Sequence, residues 1–280
     1  MPRHTRRLSK IARQPLTGSV ALVTGGGRGI GRLVALDLAR AGARVGVVAR
    51  SSEELAETVR LIEAEGGVAC AAVADVSDRS GFASAVEGLR SVLGPVDLLV
   101  NNAGVVGPIG PAWEVDTAEW WRTMEVNLLG TLIGVQLVLP EMARRRRGRI
   151  INLASQAGAY RWPLVSAYSV SKASVVKFTE NLAHETRRIG VSVFSVHPGL
   201  LPIGMTESTD LVNAAPGSYV GRVRAWVEGE LRAGRGAEPA AAIALLRRIA
   251  AGDLDALSGQ YLSVHDDVDA RLREVTEEAS

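Results

Sequence analysis

A single cysteine, Cys70, occurs in 280 residues, so no disulfide can form within the chain and a reducing compartment, the cytoplasm, is the expected setting. It lies in the apolar run VACAAVA, which predicts a buried, unreactive thiol. Long hydrophobic runs are missing too. A membrane span needs roughly 18 apolar residues in succession; the strongest candidate, VNLLGTLIGVQLVLP, is shorter and carries Asn127, Gln136 and two glycines. Nor does one sign of charge dominate. With 32 Lys and Arg against 30 Asp and Glu, the formal net charge is +2, too little for a whole-molecule field that gathers nucleic acid or a membrane surface. The first fifteen residues contain no acid and no apolar stretch of the kind a secretory signal needs, so residues 1–16 are read as a flexible basic tail.

What the chain does contain is alternation. From Ser19 onward, short β-branched runs trade places with longer helical stretches, the pattern of βαβ units feeding a parallel sheet. Strands are expected at Val20 to Thr24, Arg44 to Ala49, Val68 to Ala74, Val96 to Asn101, Arg149 to Leu153, Val191 to Val196 and Gln260 to Val264. Most are apolar throughout, as strands covered on both faces should be. Helices are expected at Ile30 to Arg40, Glu53 to Glu65 and Arg79 to Leu93, stopped by Gly42, Gly66 and Gly94. The fold class is therefore α/β, a doubly wound parallel sheet of seven strands with helices on both faces, in one domain over residues 17–265 and with a tail at 266–280. Residues 200–236 interrupt the alternation, and an interruption of that length in a compact domain reads as a substrate-facing loop.

After the first strand comes TGGGRGIG, Thr24 to Gly31, running into a helix. Glycines let backbone approach a pyrophosphate, and the free N–H groups of a helix start attract its charge. The spacing Gly25, Gly29, Gly31 is not the commonest dinucleotide fingerprint, but the position at the first βα junction is where such sheets bind nucleotides. Where an acid would meet the ribose of NAD, the sequence has Ala49 followed by Arg50, and Arg28 adds a second cation inside the turn. A guanidinium suits a 2′-phosphate, so NADP(H) is favoured over NAD(H), while Glu53 or Glu54 remains a candidate ribose partner.

Further on, YSVSK places Tyr168 and Lys172 at i and i+4, side by side on one helix face, thirteen residues after Ser155. That is a proton-handling pair. Taken singly, these residues read as a surface pair and a strand-end turn former; taken with a cofactor loop, they do not.

Together TGGGRGIG, NNAG at Asn101 to Gly104, Ser155 and YSVSK resemble the short-chain dehydrogenases/reductases over about Gly18 to Leu262. The resemblance implies a cofactor site at Thr24, Gly25, Arg28, Gly29, Ile30, Gly31, Arg50, Asp75, Val76, Asn102, Ala103, Gly104, Tyr168, Lys172, Pro198 and Gly199, with Asp75 at the adenine. It implies a catalytic tetrad of Asn127, Ser155, Tyr168 and Lys172. Tyr168 would exchange a proton with a carbonyl or alcohol oxygen while the nicotinamide exchanges a hydride with its carbon. Lys172, a neighbouring cation, would lower the phenol's pKa, Ser155 would hold the substrate oxygen, and Asn127 would hold a relay water. A small-molecule partner and a homo-oligomer, dimer or tetramer, are implied as well. The reading from another class is a non-catalytic nucleotide-binding redox sensor or scaffold.

Four features depart from or lie outside that pattern. Ile203 stands where the family commonly has a threonine after HPG, with Thr206 as a possible stand-in. HDD, His265 to Asp267, replaces the family's D-G-G and is read as a solvated turn and not a metal site. RRRRGR, Arg144 to Arg149, closes a helix, where cations complement the dipole, and lacks the interleaved aromatics of a nucleic-acid surface. Trp113, Trp120 and Trp121 are expected to line an apolar substrate site or to serve packing contacts.

Overall fold

The computed structural model describes residues 15–207 and 212–278. Its sheet has seven parallel strands in the order β3-β2-β1-β4-β5-β6-β7: β1 Val20–Thr24, β2 Arg44–Ala49, β3 Val68–Val73, β4 Leu98–Asn101, β5 Gly148–Leu153, β6 Val191–His197 and β7 Tyr261–Ser263. The strand order reverses between β1 and β4, which opens a crevice at the carboxyl ends of the strands.

Helices cover both faces: α1 Gly29–Arg40, α2 Ser52–Ala64, α3 Arg79–Leu93, α4 Thr117–Met124, α5 Gly130–Arg145, α6 Ser166–Thr186, α7 Tyr219–Arg232, α8 Pro239–Ala251 and α9 Val268–Glu278. Successive strand residues feed opposite cores. Val23, Val100, Ile151 and Val196 pack with Val34, Leu38, Leu246 and Ile249 on one face. Leu22, Leu99, Ile150 and Val193 pack with Phe82, Leu89, Ile133 and Met142 on the other.

The differences from expectation have physical reasons. Cys70 is half-buried, not buried, because β3 is an edge strand with Val68 and Val73 exposed. The apolar stretch around Asn127 is part of a longer helix. A π-helical turn, Glu125–Leu129, joins α4 to α5, and residues 117–145 are together long and apolar enough to cross a membrane, yet half of the apolar window is buried inside the fold. Residues 200–236 are not all loop, since they contain α7. The segment after His265 folds back as α9, whose Val268, Leu272 and Val275 pack on the core.

The arginine run is spent internally. Arg145 and Arg147 bridge to Asp97 at 2.5 and 3.1 Å, Arg149 to Asp255 at 2.5 Å, and Arg146 donates to the Arg188 carbonyl at 2.9 Å.

Candidate active site

The turn after β1 is built without side chains where the crevice needs bare backbone. Gly25 and Gly29 have φ of 64° and 54°, a region open to glycine at little cost. A Cβ on Gly31 would strike the Gly25 carbonyl oxygen. Helix α1 then starts from Arg28 with no side-chain cap, Gly29 and Ile30 forming its first turn, whereas α2 and α3 start from Ser51 and Asp78, whose side chains cap them. Its first N–H groups and positive dipole end are left for an anion, so the turn fits a pyrophosphate.

Two residues that the sequence reading did not single out brace this turn. Arg32 donates to the Gly27 carbonyl and, at 3.1 Å, to that of Glu54. The Thr58 hydroxyl lies 3.0 Å from the Gly26 carbonyl. Both look like ordinary polar helix residues in sequence, and only tertiary packing gives them the task.

Thr24 and Asn102 turn inward. The Thr24 hydroxyl accepts from the backbone N–H of Asn102 and Ala103, both at 3.0 Å, and the Asn102 amide donates to the Thr24 and Gly25 carbonyls at 2.8 and 3.1 Å. They tie the glycine turn to the Asn101–Gly104 loop.

At the β2 end Arg50 is exposed, and Arg28 faces Glu54 loosely at 3.7 Å. Asp75 accepts from the Ser77 hydroxyl and N–H at 2.6 and 3.0 Å and pairs with Arg122 at 2.6 Å. Burial pushes its carboxyl up, and the Ser77 bonds with Arg122 and Arg50 outweigh that, leaving it below the usual carboxylate value. Val76 is buried against Gly130 of α5.

The chemistry-bearing residues meet at the ends of β5 and α6. Ser155, buried just past β5, accepts from the Ala157 N–H at 3.1 Å and lies near enough to the Tyr168 phenol to draw its pKa down. Lys172 lies one turn along α6, its Nζ 5.8 Å from the Tyr168 ring centre and donating to the Leu153 carbonyl at 2.7 Å. A short 3-10 turn, Gln156–Gly158, sets the separation of strand and helix. Gly158 presses so closely on α6 that an added Cβ would sit 2.7 Å from the Ala173 nitrogen and the Lys172 carbonyl carbon.

The expected lowering of the Tyr168 pKa by Lys172 is not what this arrangement gives. Burial pushes the phenol above its ordinary value, with Ser155 acting in the opposite sense. Burial also brings Lys172 down to about 8, and its ammonium is aimed at a carbonyl and not at the phenol oxygen.

Asn127 sits in the π turn, a local distortion common at functional sites. Its amide donates to the Val105 carbonyl and the Ser171 hydroxyl, both at 2.9 Å, and accepts from the Val105 N–H at 2.8 Å. The side chain is therefore a tie between the β4 loop and α6. Gly104 faces the meeting point of these groups: a Cβ there would lie 3.1 Å from Asn127 Oδ1 and 3.6 Å from Lys172 Nζ.

At the end of β6, His197 is buried, and burial, then the His265 ring 6.3 Å away, brings it down to about 4, so it is neutral at pH 7. Pro198 and Gly199, the latter at φ 86°, turn the chain toward the crevice. The loop then reaches back to the glycine turn, where a Cβ on Gly29 would be 3.1 Å from Gly204 Cα. The Thr206 hydroxyl donates within its own loop, 2.8 Å from the Leu201 carbonyl. Asp266 accepts from Ser263 N–H and Asp267 from Ala270 N–H at the start of α9; among the described residues no group of three His, Cys, Asp or Glu is placed to hold a metal.

A parallel sheet with a glycine turn at its first crossover, and a serine, a tyrosine and a lysine beside it, has the architecture of a dinucleotide-binding α/β protein. The chain belongs to the short-chain dehydrogenase family, whose model matches residues 19–213. It is 38% identical over 202 residues to a short chain dehydrogenase of Pseudocercospora fijiensis, covering 71% of this chain and 65% of that one. Among solved structures, an actinorhodin polyketide ketoreductase variant with NADPH superposes with a TM-score of 0.80 at 30% identity, over 88% of this chain and 95% of that chain. An NAD+-bound xylitol dehydrogenase superposes with a TM-score of 0.79 at 26% identity, over 89% and 98%.

Proposed function

We propose that the chain reduces a ketone or aldehyde, or oxidises a secondary alcohol, with NADP(H) in preference to NAD(H), and that Tyr168 is its general acid and base. The observation that carries this reading is the grouping of Ser155, Tyr168 and Lys172 at the ends of β5 and α6, with Lys172 Nζ 5.8 Å from the Tyr168 ring centre and the glycine turn across the crevice.

When bound, the reduced nicotinamide supplies the hydride that reaches the carbonyl carbon and is itself oxidised. Tyr168 donates the proton at the oxygen, and Ser155 holds that oxygen in line. Lys172 stands by as a cation in a water-poor site, where its charge weighs more than it would in solvent. Arg28, Gly29, Ile30 and Gly31 would hold the pyrophosphate, and Arg50 the 2′-phosphate. The homologous structures carry NADPH in one case and NAD+ in another, so the preference rests on Arg50 and on the alanine at position 49. The reading includes a cytoplasmic setting, which rests on the single cysteine, and a homo-oligomer, dimer or tetramer, which rests on family resemblance.

A screen of NADPH consumption over a panel of carbonyl compounds, with NADH as control, tests it. Tyr168→Phe is expected to keep dinucleotide binding and lose about 10²–10⁴ in kcat, the usual worth of a positioned acid. Unchanged turnover in that variant overturns the assignment. Arg50→Ala is expected to weaken NADPH far more than NADH, and equal losses would sink the cofactor preference.

A further inference from the structure

The tryptophans and tyrosines are distributed unevenly. Residues 1–112 contain none of the five tryptophans or four tyrosines; all nine follow, at 113, 120, 121, 160, 162, 168, 219, 226 and 261. The three phenylalanines, by contrast, are core or packing residues: Phe82 and Phe194 are buried, and Phe178 packs against the same core.

Several of the segments that carry these rings are tied to the loop that leads into Tyr168. Gly110 N–H bonds the Leu164 carbonyl at 2.8 Å, joining the loop after β4 to the loop after β5. Tyr219, at the start of α7, bonds Glu114 at 3.2 Å and lies against Gly110. Trp120 donates to the Ser166 hydroxyl at 3.1 Å, two residues before Tyr168. Trp162 and Trp226 meet edge to face, their ring centres 4.5 Å apart, an indole pair that joins the loop after β5 to α7. The Tyr261 hydroxyl is buried without a partner among the described residues, within electrostatic reach of Tyr160 and Tyr168.

Trp226 is 41% exposed and Tyr160 66% exposed. Large rings left in water beside the loop that leads into Tyr168 offer a binding surface, and indole and phenol faces favour stacked or edge-on contact with another ring.

We infer that the substrate is a ketone, or the matching secondary alcohol, borne on a flat aromatic or fused-ring framework that Trp162 and Trp226 hold at the mouth of the site. This rests on the proposed hydride transfer at Tyr168 and deepens it, with Trp162 and Trp226 as specificity-determining residues. A small aliphatic ketone has no ring to offer them.

The full chain is assayed with 2-acetylnaphthalene, butanone and a 3-oxobutanoyl thioester, each with NADPH and with NADH. The naphthyl ketone is expected to exceed butanone in kcat/KM by about tenfold or more, the scale that apolar pocket contacts supply. Trp162→Ala and Trp226→Ala are expected to collapse that ratio by raising KM for the naphthyl ketone with little change in its kcat, and Trp226→Phe to restore most of it. Equal or better kcat/KM for butanone or the thioester, or a ratio that neither alanine variant alters, overturns the inference.

Binding is read separately, from quenching of tryptophan fluorescence by 2-acetylnaphthalene with and without NADP+. Binding that weakens in both alanine variants, with no carbonyl turned over, supports the aromatic subsite and sinks the hydride-transfer reading instead. No binding by the wild-type chain overturns the subsite.

Discussion

Lys172 is an ammonium group held where water barely reaches, and its proton is correspondingly loose, at about 8 against 10.5. Below pH 8 both folded and unfolded chains carry that proton, and folding bears the full burial cost, about 3 kcal/mol for a shift of this size. Between pH 8 and 10.5 the unfolded chain binds a proton that the folded chain has released, so this group's contribution to stability rises with pH. Lys172→Met removes the titration. In urea melts its stability relative to wild type is expected to be most favourable at pH 7 and to decline steadily toward pH 10; a difference that does not move with pH contradicts the buried-cation account. Tyr168, displaced upward by burial, stays protonated through neutral pH, the form that serves reduction. The identity of both residues was plain in YSVSK. Their electrostatics were not, because the sign of a phenol's shift depends on how much water is excluded and where the ammonium points.

Among the elements, α6 shows how position is imposed on chemistry. Its register against β5 is set by Gly158, which leaves no room for a side chain between the 3-10 turn and the helix backbone. Gly158→Ala is expected to cost about 1–3 kcal/mol through overpacking and to lower kcat at least tenfold by moving Ser155 from Tyr168, since displacements near 1 Å can cost about 10²-fold. Dinucleotide affinity, which depends on the other side of the crevice, should change little; the split between kcat and dissociation constant is the measurement that checks it. The strands were legible because burial on both faces makes them continuous apolar runs, and their centres match the reading while their ends shift by one or two residues. Helix α7 was not read out although VGRVRAWVEGELR spaces Val220, Val223, Val227 and Leu231 at helical intervals, because the Gly-, Pro-, Ser- and Thr-rich stretch before it reads as loop and only Val227 of the helix is buried. The join of α4 to α5 also left no mark, because a π turn is a change of hydrogen-bond partner and not of composition. Helix α9 did leave one, Asp267 as a cap followed by apolar residues at 268, 272 and 275, within a stretch read as a tail.

At the scale of the whole molecule, that last helix closes one face of the sheet. Val268, Leu272 and Val275 lie on the core beside α8, and Arg248 pairs with Asp269 at 2.5 Å. Deleting residues 268–280 is expected to lower the melting temperature by roughly 5–10 °C, from a loss of about 3 kcal/mol of apolar burial. A calorimetric scan with no shift would mean the helix is ornamental. The two ends of the sheet also differ in how they can be observed. All five indoles follow residue 112, and the glycine turn and the helix it opens contain none. Emission from the protein therefore reports on the half of the chain that carries Tyr168 and α7. It overlaps the absorption of a reduced nicotinamide, so a dinucleotide docking in the crevice dims the signal, whereas a disturbance confined to the glycine turn leaves it bright.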